Sequence, residues 1–176
     1  MTSAAPPDLH YITYEDYLSG VRAIMAAVRA NAWLPDFVVG VGRGGLAPAV
    51  FISHGLSVPM LSVDHSTKLA GFADELLAKL AGLAREGRKL LFVDDINDSG
   101  STVTYIREML AKQGAVAENV RFAVLINNIC SRARVDYWSR EIDRNMHKDW
   151  FVFPWEAMGT RDALIDDANA VPERLR

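Results

Sequence analysis

This chain of 176 residues holds a single cysteine, Cys130. One thiol cannot close an internal disulfide, so a disulfide-stapled fold is excluded and a reducing compartment, the cytoplasm, fits best. No apolar run approaches the ~20 residues of a membrane-spanning helix. The opening Met-Thr-Ser-Ala-Ala-Pro-Pro has neither the charged nor the apolar region of a signal peptide and reads as a loose leader. Charge of one sign is also scarce: 19 Lys and Arg against 22 Asp and Glu leave a net charge of −3. That balance argues against a general nucleic-acid binder, which carries a basic face. His54 and His65 lack zinc-ligand spacing with other ligands. There is no internal repeat, low-complexity tract or interdomain linker, so one domain spans 1–176.

Half of the residues are hydrophobic, ample for a core. Thr13 with Asp16 resembles a capping box, and Val21, Ile24, Met25 and Val28 recur at helical spacing, predicting a helix over about 14–31. Phe37 to Val41 reads as a strand, followed by Gly42-Arg43-Gly44-Gly45 as a loop and a helix over about 46–55. Further strands are expected at Val58–Val63, Lys89–Val93 and Val120–Ile126, with helices at Leu69–Ala84 and Ser101–Gln113. This alternation implies an α/β fold with a parallel sheet. Tyr11, Tyr14, Tyr17 and Trp33 read as core or dimer surface. Cys130 follows a strand with no His nearby and reads as a structural thiol.

The most informative stretch is Leu91-Phe-Val-Asp-Asp-Ile-Asn-Asp-Ser-Gly-Ser-Thr-Val103. Its apolar run fits a strand buried on both faces and ending at the carboxyl edge of a parallel sheet, the usual ligand site of open α/β folds. Asp94 and Asp95 then emerge on opposite sides. The segment Ser99-Gly100-Ser101-Thr102 turns into a helix whose free amides and hydroxyls suit a phosphate. Two carboxylates beside a phosphate cup imply a ligand with hydroxyls, a phosphate and a divalent cation.

Upstream, glycines at Gly42 and Gly44 let backbone amides approach an anion while Arg43 neutralises it. A P-loop is excluded, because Leu46 and Ala47 stand where Lys and Ser or Thr are required. The string Gly40-x-Gly42-x-x-Gly45 does match a dinucleotide fingerprint, with Asp64 as its later acid. A dinucleotide-binding module is therefore a rival, but it leaves Asp94 to Thr102 unexplained. Downstream, Trp150-Phe-Val-Phe-Pro-Trp-Glu156 reads either as an edge strand or packing segment, or as an aromatic platform.

The acid-acid-apolar-x-acid-Ser-Gly-x-Thr pattern resembles the phosphoribosyl-diphosphate (PRPP) motif of type I phosphoribosyltransferases. The Trp150–Glu156 segment is similar to the one that closes xanthine-guanine and hypoxanthine members of that family. The resemblance spans about residues 37–156 and implies a parallel-sheet fold flanked by helices, with a small base-binding hood from the N-terminal segment and about 127–156. A polar tail, 157–176, remains to wrap a partner subunit. The resemblance implies exchange of the pyrophosphate of PRPP for a purine nitrogen (guanine, xanthine or hypoxanthine) in purine salvage, by a homodimer or homotetramer.

The same resemblance gives roles to residues. Asp94 and Asp95 hold the ribose hydroxyls, directly or through Mg²⁺, and Ser99, Gly100, Ser101 and Thr102 hold the 5-phosphate. Gly42, Arg43 and Gly44 meet the pyrophosphate; the peptide before the Arg can be cis in that family. Asp98 is the general base or the partner of the purine N7. Trp150 stacks on the base, with Phe151 and Val152 supplying wall and backbone contacts. Ser66 and Lys68 lie in a flap. Where those purine enzymes carry a Lys for the 6-oxo group, this chain has Asn128, which leaves base preference open; Asn128 also suits a turn cap. A non-catalytic PRPP sensor that regulates nucleotide metabolism is the rival within the fold.

Overall fold

The computed structural model describes residues 7–64 and 73–171. Five parallel strands form the main sheet: β2 (Phe37–Val41), β3 (Met60–Val63), β4 (Leu90–Asn97), β5 (Val120–Asn128) and β6 (Tyr137–Ile142), in the order β3-β2-β4-β5-β6. Counted from its first strand, this is the doubly wound order 2-1-3-4-5, whose switch point lies between β2 and β4. A crevice is expected outside the carboxyl ends of those two strands. They are the ends that carry Gly42–Gly45 and Asp94–Thr102.

Helices cover both faces. On one face α1 (Tyr14–Ala30) and α2 (Gly42–Leu56) bury Val21, Ile24, Val28, Ala49 and Ile52 against Val38, Leu91 and Val93. On the other, α3 (Asp74–Arg85) and α4 (Ser101–Lys112) bury Leu77, Leu80, Ile106 and Leu110 against Val39, Leu90, Phe92 and Phe122. Successive β4 residues thus serve opposite layers, as the pleat requires. Thr13 caps α1, accepting from the Asp16 amide at 3.0 Å and donating to the Asp16 carboxylate at 2.6 Å. Tyr17 and Trp33 belong to the core, whereas Tyr11 and Tyr14 are exposed.

Two expected boundaries are corrected. β4 does not end at Val93 but continues to Asn97, because β5 runs on to Asn128 and keeps pairing it, Ile96 with Ile126 and Asn97 with Asn127. The turn Gly42–Gly45 is not a loop; it is the first turn of α2. A Cβ on Gly44 would collide with the Asp95 carboxylate, and one on Gly45 with the Val93 carbonyl. The glycines let the helix start directly against β4, and Gly42 takes the turn at φ 52°. All peptide bonds among the described residues are trans.

β6, at the sheet edge, carries no local strand signal in its sequence. A second, two-stranded parallel sheet joins β1 (Leu9–Tyr11) to β7 (Trp150–Val152), with Leu9 opposite Trp150 and Tyr11 opposite Val152. The chain beyond β7 forms α5 (Arg161–Asn169), capped by Thr160 and burying Leu164 and Ala168. No helix among the described residues is long and apolar enough to cross a membrane.

Candidate active site

A cavity of about 290 Å³ opens at the switch point, lined by Asp94–Val103, Arg144, Trp150, Phe151, Phe153, Glu156 and Val171. It brings together the acid pair at the end of β4, the turn into α4, and the aromatic segment around β7. A larger apolar hollow of about 570 Å³ lies along β3 and α3, with Lys79 its sole ionisable side chain among the described residues.

Asp94 and Asp95 are half-buried; Asp94 Oδ1 accepts from the Asp95 amide at 3.0 Å, and the Asp95 carboxylate lies against Gly44. Loss of water pushes both carboxyls above the usual carboxylate range. The neighbouring charge of Asp95 adds to this at Asp94, and Glu156 adds to it at Asp95, which is pushed up to about 7. Glu156 is also raised, first by burial and then by Asp167, while the Phe153 amide, which donates to it at 2.9 Å, and Arg43 oppose the shift. Crowded, poorly hydrated carboxylates of this kind are stabilised by an arriving cation. No three His, Cys, Asp or Glu side chains among the described residues converge closely enough to hold a metal by themselves. Hard oxygen donors supplied partly by protein and partly by a polyhydroxyl, phosphate-bearing ligand fit Mg²⁺, which keeps water and substrate oxygens in its shell.

The α4 N-terminus forms the opposite wall. Gly100, at φ 84°, precedes the helix, which has no side-chain cap, so its first-turn amides have no intrahelical acceptor. Ser99 and Ser101 hydroxyls lie 2.5 Å apart beside these amides. The loop Ser131–Ala133 crosses so close to Gly100 that a Cβ there would sit 2.6 Å from the Ala133 amide nitrogen. Buried Asn97 holds that loop, donating to the Ala133 carbonyl at 2.8 Å and accepting from the Ser131 hydroxyl at 3.0 Å. An anion is the natural occupant of this amide-rich wall.

Asp98 occupies the turn after β4 and is paired with Arg144, which is 4% exposed. The guanidinium spans both carboxylate oxygens at 2.8–3.1 Å. Arg144 is a site residue that sequence reasoning missed. It lies in a charged loop with no motif, and only the fold brings it across 46 residues to Asp98. Glu156 was missed as a site residue too, although its acid position in the Trp-Pro-Trp segment was visible.

Three expected contacts fall elsewhere. Asn128 does not line the cavity: its Nδ2 donates to the Asp98 carbonyl at 3.0 Å, and its Oδ1 accepts from the amides of Cys130 and Arg144 at 3.1 and 3.3 Å. Those bonds are those of a turn cap. Val152 is fully buried and its carbonyl accepts from the Ile12 amide at 2.9 Å, so strand pairing uses the backbone group expected to meet a base. Gly42, Arg43 and Gly44 sit beside the cavity without lining it, with Gly44 against Asp95. Ser66 and Lys68 lie outside the described residues. Trp150 and Phe151 do line the cavity, as strand residues, so the edge-strand and platform readings of that segment are compatible. The Gly40-x-Gly42-x-x-Gly45 string serves helix–sheet contact, and Asp64 is exposed just after β3. Cys130 is exposed, and its Sγ donates to Asp143 at 3.3 Å.

Comparison with known proteins adds four findings. The model of the phosphoribosyl transferase domain matches residues 13–158. The chain is 29% identical over 143 residues to the xanthine-guanine phosphoribosyltransferase of Cereibacter sphaeroides, covering 73% of this chain and 79% of that protein. It superposes on the purine phosphoribosyltransferase of Pyrococcus horikoshii with a TM-score of 0.64 at 26% identity, over 85% of this chain and 95% of that one. A Neisseria gonorrhoeae protein of unassigned role, solved with bound ppGpp, shares the fold at a TM-score of 0.67 and 22% identity, covering 97% of this chain and 98% of that one.

Proposed function

This chain belongs to the phosphoribosyl transferase family, and on that premise we propose that it moves the ribose 5-phosphate of PRPP onto a purine base, releasing pyrophosphate. The observation that carries the reading is the single cavity in which the β4 acid pair, the uncapped α4 N-terminus, Asp98 and Trp150 meet. The enzyme is a pentosyltransferase of purine salvage. The dinucleotide module is set aside by the family.

The α4 amides, with Ser99, Ser101 and Thr102, bind the 5-phosphate and fix one end of the sugar. Asp94 and Asp95 accept from its 2- and 3-hydroxyls, directly or through Mg²⁺. Bound there with PRPP, Mg²⁺ would offset the charge of the leaving pyrophosphate. Arg43 and the first-turn amides of α2 receive that pyrophosphate. As the bond from C1 to the pyrophosphate oxygen breaks, its electron pair leaves with the oxygen and positive charge grows on the ribose, which the carboxylates stabilise. A base nitrogen closes on C1 and gives up its proton; Asp98, facing the base, accepts that proton or a hydrogen bond from N7. Trp150 provides the flat face for stacking, worth about 1–3 kcal/mol by analogy with bases in nucleic-acid sites. The β1–β7 sheet is the hood that carries it.

The single exposed thiol supports a reducing, cytoplasmic setting. Exposed Leu46, Val50 and Phe51 on α2 support a homodimer or homotetramer. The test is a panel of free bases with PRPP and Mg²⁺, scored for pyrophosphate release, with a chelator arm. Release with a 6-oxopurine, abolished by the chelator, is expected. PRPP binding without release from any base points to the non-catalytic sensor; full activity in the chelator contradicts the metal role.

A further inference from the structure

With Asn128 tied to backbone groups, the charged donor that its position in the resemblance calls for is missing from β5. The cavity holds another. Arg144 has five N–H groups. Its Nε donates to both Asp98 oxygens at 2.9 and 3.1 Å, and one Nη2 hydrogen goes to Asp98 Oδ2 at 2.8 Å. Both Nη1 hydrogens go to carbonyls, of His147 at 3.2 Å and of Asp149 at 2.7 Å. The remaining Nη2 hydrogen has no acceptor among the described residues, and Arg144 lines the cavity. The Phe151 ring lies 5.2 Å from the Arg144 guanidinium carbon and holds the group in place.

A free donor beside a carboxylate acceptor is a two-point template. It matches a carbonyl oxygen next to a ring N–H, the edge that a 6-oxopurine presents through O6 and N7. A 6-aminopurine would set N–H against N–H there and leave a buried charged donor unmet, which a polar site rejects strongly. Resting on the transferase reading above, we propose that Arg144 is the specificity residue that reads the 6-oxo group, with Asp98 as its partner on the adjacent nitrogen. The role assigned to the fourth core strand by resemblance has moved to the loop after β6.

The test compares guanine with 2-aminopurine, which lacks the 6-oxygen. Wild-type protein should favour guanine in kcat/KM by roughly 10- to 100-fold, the range expected for one charged hydrogen bond. Arg144→Gln should lower both rates, because Asp98 and the 147–149 turn lose their partner, and should also shrink the preference to about threefold or less. Arg144→Lys should restore most of the preference. A purely structural Arg144 would lower both rates equally and leave the preference unchanged, which overturns the proposal, as does a wild type that uses both bases equally. If Arg144→Gln does not fold, the nitrogen NMR signal of the wild-type Arg144 guanidinium decides. It should shift with guanosine monophosphate and not with 2-aminopurine ribotide; equal shifts overturn the proposal. A wild type that releases pyrophosphate with neither base and binds neither nucleotide overturns the transferase reading itself.

Discussion

Asp95→Asn is the most telling perturbation, because it separates the proposed role of the carboxylate in PRPP binding from its effect on the fold. In the folded protein the Asp95 carboxyl is pushed up to about 7, by burial first and by Glu156 second. Its ordinary value is near 4, and each tenfold is worth 1.36 kcal/mol, so keeping it ionised above pH 7 costs roughly 4 kcal/mol. Its partial contact with water screens some of that, and roughly 2 kcal/mol is the working figure. The sign follows from proton linkage. Between pH 4 and 7 the folded state binds more protons at Asp95 than the unfolded state, so wild-type stability falls as pH rises through that window. Asparagine carries no such cost.

The variant should therefore match wild type near pH 4 and melt about 4–8 °C higher at pH 8, where the full difference is felt. Asparagine keeps the size of the side chain, so the space beside Gly44 is unchanged. In the same preparation PRPP binding, followed by calorimetry with Mg²⁺, should be lost or weakened at least tenfold. Melting curves of both proteins across pH 4–8 are the assay. A gap that is independent of pH, or a variant less stable at pH 8, would refute the electrostatic account of this site.

Three other outcomes are expected. Asp98→Ala should lower turnover far more than it weakens PRPP binding, measured by steady-state kinetics against calorimetry; wild-type activity would end its assignment. Trp150→Ala should chiefly raise the KM for the base, by about 5- to 100-fold if one stacking contact is lost, and an unchanged KM would leave Trp150 as a packing residue. Gly44→Ala places a methyl in the Asp95 carboxylate and should cost about 1–3 kcal/mol of stability in thermal melts, with a smaller loss in an Asp95→Ala background. Equal losses in the two backgrounds would show that the contact with Asp95 is not the cause.

Much of the fold was legible because its signals are local. The apolar run Leu90–Val93 and the capping residues Thr13 and Asp16 each act within a few residues of themselves. Missed or misplaced features share a different physics. β6 is an amphipathic edge strand containing Ser139, Arg140 and Glu141, and only its pairing with β5 defines it. β4 outlasts its apolar run because a neighbour continues the ladder. Helix α2 begins early because β4 packs against its glycines, a contact between positions about 50 residues apart.

The sequence by itself determined which groups line the β4–α4 half of the candidate site. Asp94, Asp95, Asp98 and Ser99–Thr102 are contiguous, and a strand-turn-helix places contiguous residues around one point whatever surrounds them. Only the tertiary structure decided the half around β7. There Arg144 reaches Asp98 from beyond β6, Glu156 raises Asp95 from beyond β7, and Asn128 turns away to cap backbone amides. Each of these is a contact between charges or polar groups distant in sequence. Burial makes such contacts strong, and burial is a property of the assembled fold rather than of any segment.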